Sequence, residues 1–382
     1  NITSQDNQVL LHAKQDITLD AGREHTSYDL EASSSKRSTL SKKSSYRHDH
    51  VESDTGIATA ISGQSVLMAA GNDINITGSS VVADNDINLL ATRNIDIQAD
   101  KNTYNESHVE INKKSGLMGS GGIGFTVGSK SESHQYDEKG TTQSDARAAI
   151  GSLGGNVTIT AGNHVNILGT DLIAQADKLI EVQGKTLKVE AGKDIIESSE
   201  KHEFKQSGLT VALSTPVTDA ALAARSSLQR SGQVKDGRLS ALYQVKAATE
   251  VAMAAQATAD TANTISNIAD GAMQQGAVSN PQVKLSVSLG SQKSTSTSHS
   301  TQVTHSGSEL SAGNIKLTTT EGDIDILGSH LNAQKITLDS ADKINLESVQ
   351  DTYTNRADNK NSGGSIGAFI GANGNSYGVG FE

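Results

Sequence analysis

The sequence predicts an all-β solenoid, a parallel β-helix with projecting β-hairpins, and three observations carry that prediction. The first is residues 71–99, GNDINITGSSVVADNDINLLATRNIDIQA, in which apolar residues recur at every second position: Ile74 and Ile76, Ile87 and Leu89, Ile95 and Ile97. Alternation of that kind aims aliphatics at one face of a strand and polar residues at the other. The second is spacing. Ile74 and Ile95 lie 21 residues apart with three short strands between them, the length of one coil. The third is composition: aromatics are 3% of 382 residues, with no Trp and two prolines, so small and branched aliphatics must form a narrow, layered core.

The elements follow in order. QVLLHAKQDITLDAG (8–22), DINLLATRNIDIQAD (86–100), KLIEVQGKTLKVEAG (178–192) and KITLDSADKINLESV (335–349) align, with Ile17, Ile95, Leu187 and Ile344 equivalent. A preceding element also recurs, as ITGSSVVAD (76–84), ILGTDLIAQ (167–175) and ILGSHLNAQ (326–334). The expected core is Ile17, Leu19, Ile74, Ile76, Ile87, Leu89, Ile95, Ile97, Val165, Ile167, Leu187, Val189, Ile324, Ile326, Ile336, Leu338, Ile344 and Leu346. No strand here can bury its apolar face alone, so stacked neighbours must supply the cover. A two-sheet sandwich is the rival fold, but it needs longer strands and tight hairpin turns.

Spacings between the equivalent positions are 78, 92 and 157. The last exceeds its neighbour by 65, the length of the tract 216–280, which is Ala-rich and spaces small residues at Ala252, Ala255, Ala259, Ala262 and Ala269. That spacing predicts an inserted α-helical hairpin, with Thr215 before Pro216 as its start. It would dock on the β-helix flank or serve as an arm for a partner. The expected organisation is therefore β-helix units over 1–215 with excursions near 23–58, 101–150 and 196–214, the insertion at 216–280, and continued β-helix with a terminal hairpin over 281–382. Glycine-broken alternating stretches at 109–133, 283–300 and 365–382 read as hairpins projecting from the stack or lying along it. The chain starts and stops within strand patterns, which reads as an excerpt of a longer protein.

Charge and motifs narrow the function. A net charge of −11 argues against a nucleic-acid partner. With no Cys, disulfide scaffolds, thiol nucleophiles and Cys-based metal sites are excluded. No apolar run approaches a membrane helix in length.

Gly119–Gly124 spells G-x-G-x-x-G, but alternating strand residues follow it where a dinucleotide site needs a helix. His48 and His50 would share one face of a strand, with Arg47 and Asp49 opposite. Two ligands do not make a metal site, so a solvated polar loop is the expectation. His12, His164, His202 and His330 are scattered and suggest no cluster. Asp73, Asp86, Asp96, Asp323 and Asp325 sit at repeat positions and suit the scaffold better than a converging catalytic pair. The glycine tracts lack the Asp of calcium-binding β-rolls. No catalytic, cofactor-binding or metal-ligating residue is singled out. Alternating residues around Phe125, Val127, Phe369 and Tyr377 are candidates for contact, including membrane contact of the hairpins, although aromatic girdles are nearly absent.

The A-G-N-D-I-N-I and G-S-x-x-x-A units resemble the haemagglutinin-repeat region of filamentous haemagglutinins and CdiA-type contact-dependent inhibition effectors. The motifs at 8–22, 71–100, 161–192 and 311–347, with GSGGIGFTVG and GSIGAFIGANG, spread this resemblance over nearly the whole chain. It implies a right-handed parallel β-helix, an outer-membrane secretion transporter of the two-partner type as partner, and a secreted filament at the bacterial cell surface. It implies further a role in reaching a neighbouring or host cell and aiding toxin passage across the target's outer membrane. An adhesin proper is the alternative, and a polysaccharide-degrading β-helix is the rival from another class.

Overall fold

The computed structural model describes residues 1–119, 123–214, 284–371 and 377–381. The expected helical insertion at 216–280 lies outside the described residues.

Among the described residues the chain winds through seven coils, each contributing strands to three faces. The first coil is β1 (Ile2–Thr3), β2 (Val9–Ala13) and β3 (Ile17–Asp20). After hairpin strands β4 (Gly22–Arg37) and β5 (Ser41–Ile57), the second coil is β6 (Ala60–Gly63), β7 (Val66–Ala70) and β8 (Ile74–Thr77). The third is β9 (Ser80–Ala83), β10 (Ile87–Ala91) and β11 (Ile95–Gln98). Hairpin strands β12 (Asn102–Gly119) and β13 (Ile123–Thr142) then precede coil four, β14 (Ala148–Ser152), β15 (Val157–Ala161) and β16 (His164–Leu168). Coil five is β17 (Thr170–Ile173), β18 (Leu179–Gly184) and β19 (Thr186–Glu190), followed by β20 (Gly192–Ser214) and β21 (Lys284–Ser306). Coil six is β22 (Glu309–Thr319), which turns through two faces, and β23 (Ile324–Leu327). Coil seven is β24 (His330–Asp339) and β25 (Ile344–Glu347), and a last hairpin, β26 (Thr352–Gly371) and β27 (Tyr377–Phe381), leaves from it.

Successive coils pair in parallel and in strict register, so like side chains stack. Ile17 faces Ile74, Ile95, Val165, Leu187, Ile324 and Ile344 in turn. Val9, Val66, Ile87, Val157, Ile180 and Ile315 form a second column, and Ile61, Val81, Ile150, Leu172 and Leu310 a third. From the second coil to the sixth these side chains are sealed from solvent. Each such aliphatic contributes roughly 1.5–3 kcal/mol relative to exposure. The last coil differs from expectation. Ile336, Ile344 and Leu346 are exposed, Leu346 by 66%, because no described coil covers that end of the stack.

The recurring I-x-G-[ST] element is a corner. Gly78, Gly169 and Gly328 take φ of +54°, +57° and +59°, which favours glycine over any residue with a Cβ. The next residue's hydroxyl then donates back to the carbonyl two positions earlier: Ser79 to Thr77 at 2.8 Å, Thr170 to Leu168 at 3.0 Å and Ser329 to Leu327 at 3.1 Å.

These tight corners join coils two and three, four and five, and six and seven. At the alternate junctions the chain leaves as a hairpin, so one repeat is two coils plus one hairpin. Adjacent hairpins pair with each other, giving a single antiparallel sheet in the order β4, β5, β12, β13, β20, β21, β26, β27. Its regularity has a geometric cause. Two coils advance about 9.6 Å along the stack at roughly 4.8 Å each, and two hairpin strands advance by the same amount. Sheet and solenoid therefore grow in step, without strain at the joins.

Side chains lock each join. Asn102 Oδ1 accepts the Gly56 N–H at 2.8 Å, Asp194 Oδ1 accepts those of Gln143 and Ser144, and Asp351 Oδ1 accepts that of His305 at 2.8 Å. A side chain at the root of each hairpin thus holds backbone at the root of the one before. Two points of the expected organisation change here. Lys284–Ser306 is a hairpin strand, in line with the alternation at 283–300, so the coil resumes after it and not at 281, because the strand completes the pair with Gly192–Ser214 in unbroken register. His48, Asp49 and His50 lie inside β5 and not in a solvated loop.

Candidate contact face

The hairpin sheet is a single layer of long strands. β20 and β21 have 23 residues each, roughly 78 Å of extended chain. Near its roots the sheet is held by cross-strand polar pairs such as Ser198–Ser300 at 2.7 Å and Lys139–Glu197 at 2.9 Å. Burial first, then the Glu138 hydrogen bond, pushes the Tyr104 phenol up to about 12. Asp29 accepts from both His48 and His50, and these contacts hold its carboxyl below the usual range even against its desolvation.

Further out, a line of glycines crosses the sheet: Gly116 pairs with Gly128, Gly128 with Gly208, and Gly208 with Gly290. A Cβ on Gly128 would stand 2.0 Å from the Ser207 carbonyl oxygen and 2.7 Å from the Gly208 Cα. Gly116 has φ +97° and Gly208 φ +150°. Only glycine lets these backbones lie so close.

Beyond that line the composition changes sign. One-to-one pairing keeps the alternation intact, so one face carries the row Leu117, Val127, Leu209, Leu289 and Ile366. The next row on that face is Phe125, Val211, Val287, Ala368 and Val379. All of the first row is exposed, from 39% at Leu117 to 57% at Leu289. The opposite face carries Met118, Thr126, Thr210, Ser288 and Gly367, with Thr126 and Thr210 hydroxyls 2.9 Å apart. On the root side of the apolar rows come Ser129, Ser207 and Ser291, then Lys113, Lys205 and Lys293 on the same face. An apolar field edged by amines, of which Lys205 and Lys293 share Glu203 as a partner, is thus presented to solvent by a protein of net charge −11. Contiguous apolar fields of this kind mark interaction sites.

The contact candidates read from sequence divide. Phe125 and Val127 lie on the exposed apolar face, Phe369 lies on the opposite face, and the side chain of Tyr377 is outside the described residues. No core covers the first two. Alternation showed which residues are apolar; only cross-strand register shows that five strands bring them into one field.

The repeat acids act as corner pieces. Asp16 Oδ1 accepts the Asp73 N–H at 3.1 Å, Asp73 Oδ1 the Asn94 N–H at 3.1 Å, and Asp323 Oδ1 the Lys343 N–H at 3.0 Å. Arg93 also pairs with Asp73 and, with the Asn94 N–H, holds its carboxyl below the ordinary value. This ladder explains the Asp of D-I-N-I.

The scattered histidines include one group that pairing brings together: His134 and His202 face each other across β13 and β20, both against Glu200.

Stacked aliphatic coils with hairpins at alternate junctions define a haemagglutinin-repeat solenoid, and the haemagglutinin-repeat family model matches residues 1–110, 39–151, 128–271 and 289–382. The chain belongs to that family. Among similar proteins, the 16S rRNA endonuclease CdiA of Enterobacter cloacae subsp. cloacae is 39% identical over 93% of this chain and 10% of its own length. The tRNA nuclease CdiA of Escherichia coli (strain STEC_O31) is 38% identical over 94% of this chain and 11% of its own. The deoxyribonuclease CdiA of Dickeya dadantii is 36% identical over 97% and 11%. The chain thus spans about a tenth of the length of these relatives, in their repeat region, and their nuclease names describe the whole proteins. No solved structure matches the chain significantly.

Proposed function

We propose that this chain is a non-enzymatic section of a large contact-dependent inhibition exoprotein, carried out of its cell by a two-partner outer-membrane transporter and held at the cell surface. The coil stack gives reach, and the hairpin sheet meets the neighbouring cell. The observation that supports this reading most directly is the exposed apolar field beside Lys113, Lys205 and Lys293. Apolar side chains would seat among acyl chains while Lys113, and Lys205 and Lys293 on exchanging Glu203 for lipid, meet anionic phosphates, a basic residue near such a surface contributing at most about 1 kcal/mol. Past the glycine line β12 continues for three residues and β13 for five, against the roughly 9–11 needed to cross a bilayer. That hairpin dips into a surface and does not span it. Aiding a toxin across the target's outer membrane is the fuller role this contact would serve.

Flotation of the chain with anionic phospholipid vesicles tests the reading. Binding should fall with added salt, be lost in the Leu209→Glu, Leu289→Glu double variant, and weaken in Lys113→Glu, Lys205→Glu. Binding to intact cells with none to vesicles would favour an adhesin acting on a receptor and would overturn the lipid contact.

A further inference from the structure

Independently of any lipid contact, the seam between the second and third hairpins carries a cluster with donor chemistry of its own. His134 and His202 are directly cross-strand, their rings stacked with centroids 4.1 Å apart and planes 4° from parallel. Both Nε2 atoms face the same carboxylate oxygen, Glu200 Oε1, at 3.0 and 2.9 Å. One donor atom from each residue lies within 4.8 Å of the others, and this is the one such triple of His and carboxylate donors among the described residues.

Without an ion, two N–H donors converge on one acceptor oxygen. With both Nε2 atoms deprotonated, three donor atoms gather at one place, with the two imidazole lone pairs lying side by side in near-parallel ring planes. Ligands on a single tetrahedral ion stand about 3.3 Å apart, so the two partly exposed rings would turn out of their stack to aim at one ion. Two imidazoles and one carboxylate suit borderline transition cations and suit Mg2+ or Ca2+ poorly. The surroundings favour positive charge. Glu110 is in register with His134 on the same face, while Lys130 and Arg47 on that face are already paired with Glu132 and Asp49.

We propose that His134, Glu200 and His202 form a three-ligand site for a divalent transition cation of the Zn2+ class, which clasps two hairpins that chain connectivity leaves unjoined. β13 and β20 are held together along 19 residue pairs by backbone bonds alone and scattered side-chain pairs, and His134 and Glu200 are 66 positions apart. An ion there closes a cross-link that exists only when the hairpins are zipped. Bound metal therefore stabilises the zipped seam by linkage.

The test is calorimetric titration of the full chain, stripped of metal, with ZnCl2, alongside CaCl2 and MgCl2. One equivalent of Zn2+ should bind, Ca2+ and Mg2+ should not, and His134→Gln or His202→Gln should each weaken binding by more than about tenfold. His305→Gln, remote at a hairpin root, should leave it unchanged. Hydrogen exchange at residues 131–135 and 201–205 should slow on adding Zn2+ in the parent chain and not in the His202→Gln variant. Failure to bind at millimolar Zn2+, binding that survives both His substitutions, or a seam whose exchange ignores bound metal would overturn the proposal. His202 is exposed and His134 and His305 are partly buried, and unchanged circular dichroism would show that the fold persists.

Discussion

The coil stack and the hairpin sheet advance at the same strand spacing yet are stabilised in opposite ways. In the coils the main inward columns are aliphatic and, from the second coil to the sixth, dry, and stability comes from apolar area removed from water. In the hairpin sheet both faces are open over most of its length. What holds it is the backbone ladder, cross-strand pairs worth about 0.2–1 kcal/mol each, and the side-chain locks at the roots. The coils serve as the rigid template, and the sheet is the surface that the template spaces out. Apolar residues that face inward in one region face water in the other, which separates scaffold from contact.

Substitutions should break that contrast in graded steps. Ile97→Ala, which empties a sealed position, should destabilise by about 2–5 kcal/mol, while Leu289→Ala on the open field should change stability by no more than about 0.5 kcal/mol, compared by chemical denaturation. Equal effects would mean that the apolar field is covered in solution.

Gly128→Val should cost about 1–3 kcal/mol and act locally, speeding hydrogen exchange at residues 126–130 and 206–210 while the coils stay protected. Deleting residues 102–142 with a short linker should leave β5 and β20 about 14 Å apart, three strand spacings with the two middle strands gone, and hence unable to pair. Two fresh sheet edges would then show as self-association in sedimentation.

The smallest effect is one of pH. Asp73 is held below its ordinary value by Arg93 and by the Asn94 N–H, so its contribution is present above about pH 4 and is lost as pH falls through the depressed value. Asp73→Asn should flatten the acid limb of the stability profile and leave stability at neutral pH only slightly lower, as expected for an exposed pair.

The face built from β3, β8, β11, β16, β19, β23 and β25 was legible in the sequence because Asp-Ile-Asn-Ile pairs strand alternation with a corner acid. The column through Ile61, Val81, Ile150 and Leu172 was not expected, and on the column where Leu89 and Leu338 were expected Met68 and Ile159 were not, since their strands lack that signature. Glycine-broken alternation marked the hairpins, yet nothing in a single strand says which hairpin it will lie beside. The His134–Glu200–His202 group was missed for the same reason: its members are neighbours only through register between separate hairpins.

By itself the sequence determined the coil, because apolar period, corner glycine and corner acid all act within some twenty residues of one another. Tertiary structure alone decided the sheet, the apolar field and the histidine cluster. Those depend on two lattices of equal spacing meeting side by side, and equality of spacing belongs to the backbone hydrogen bond and to no residue that a sequence can spell.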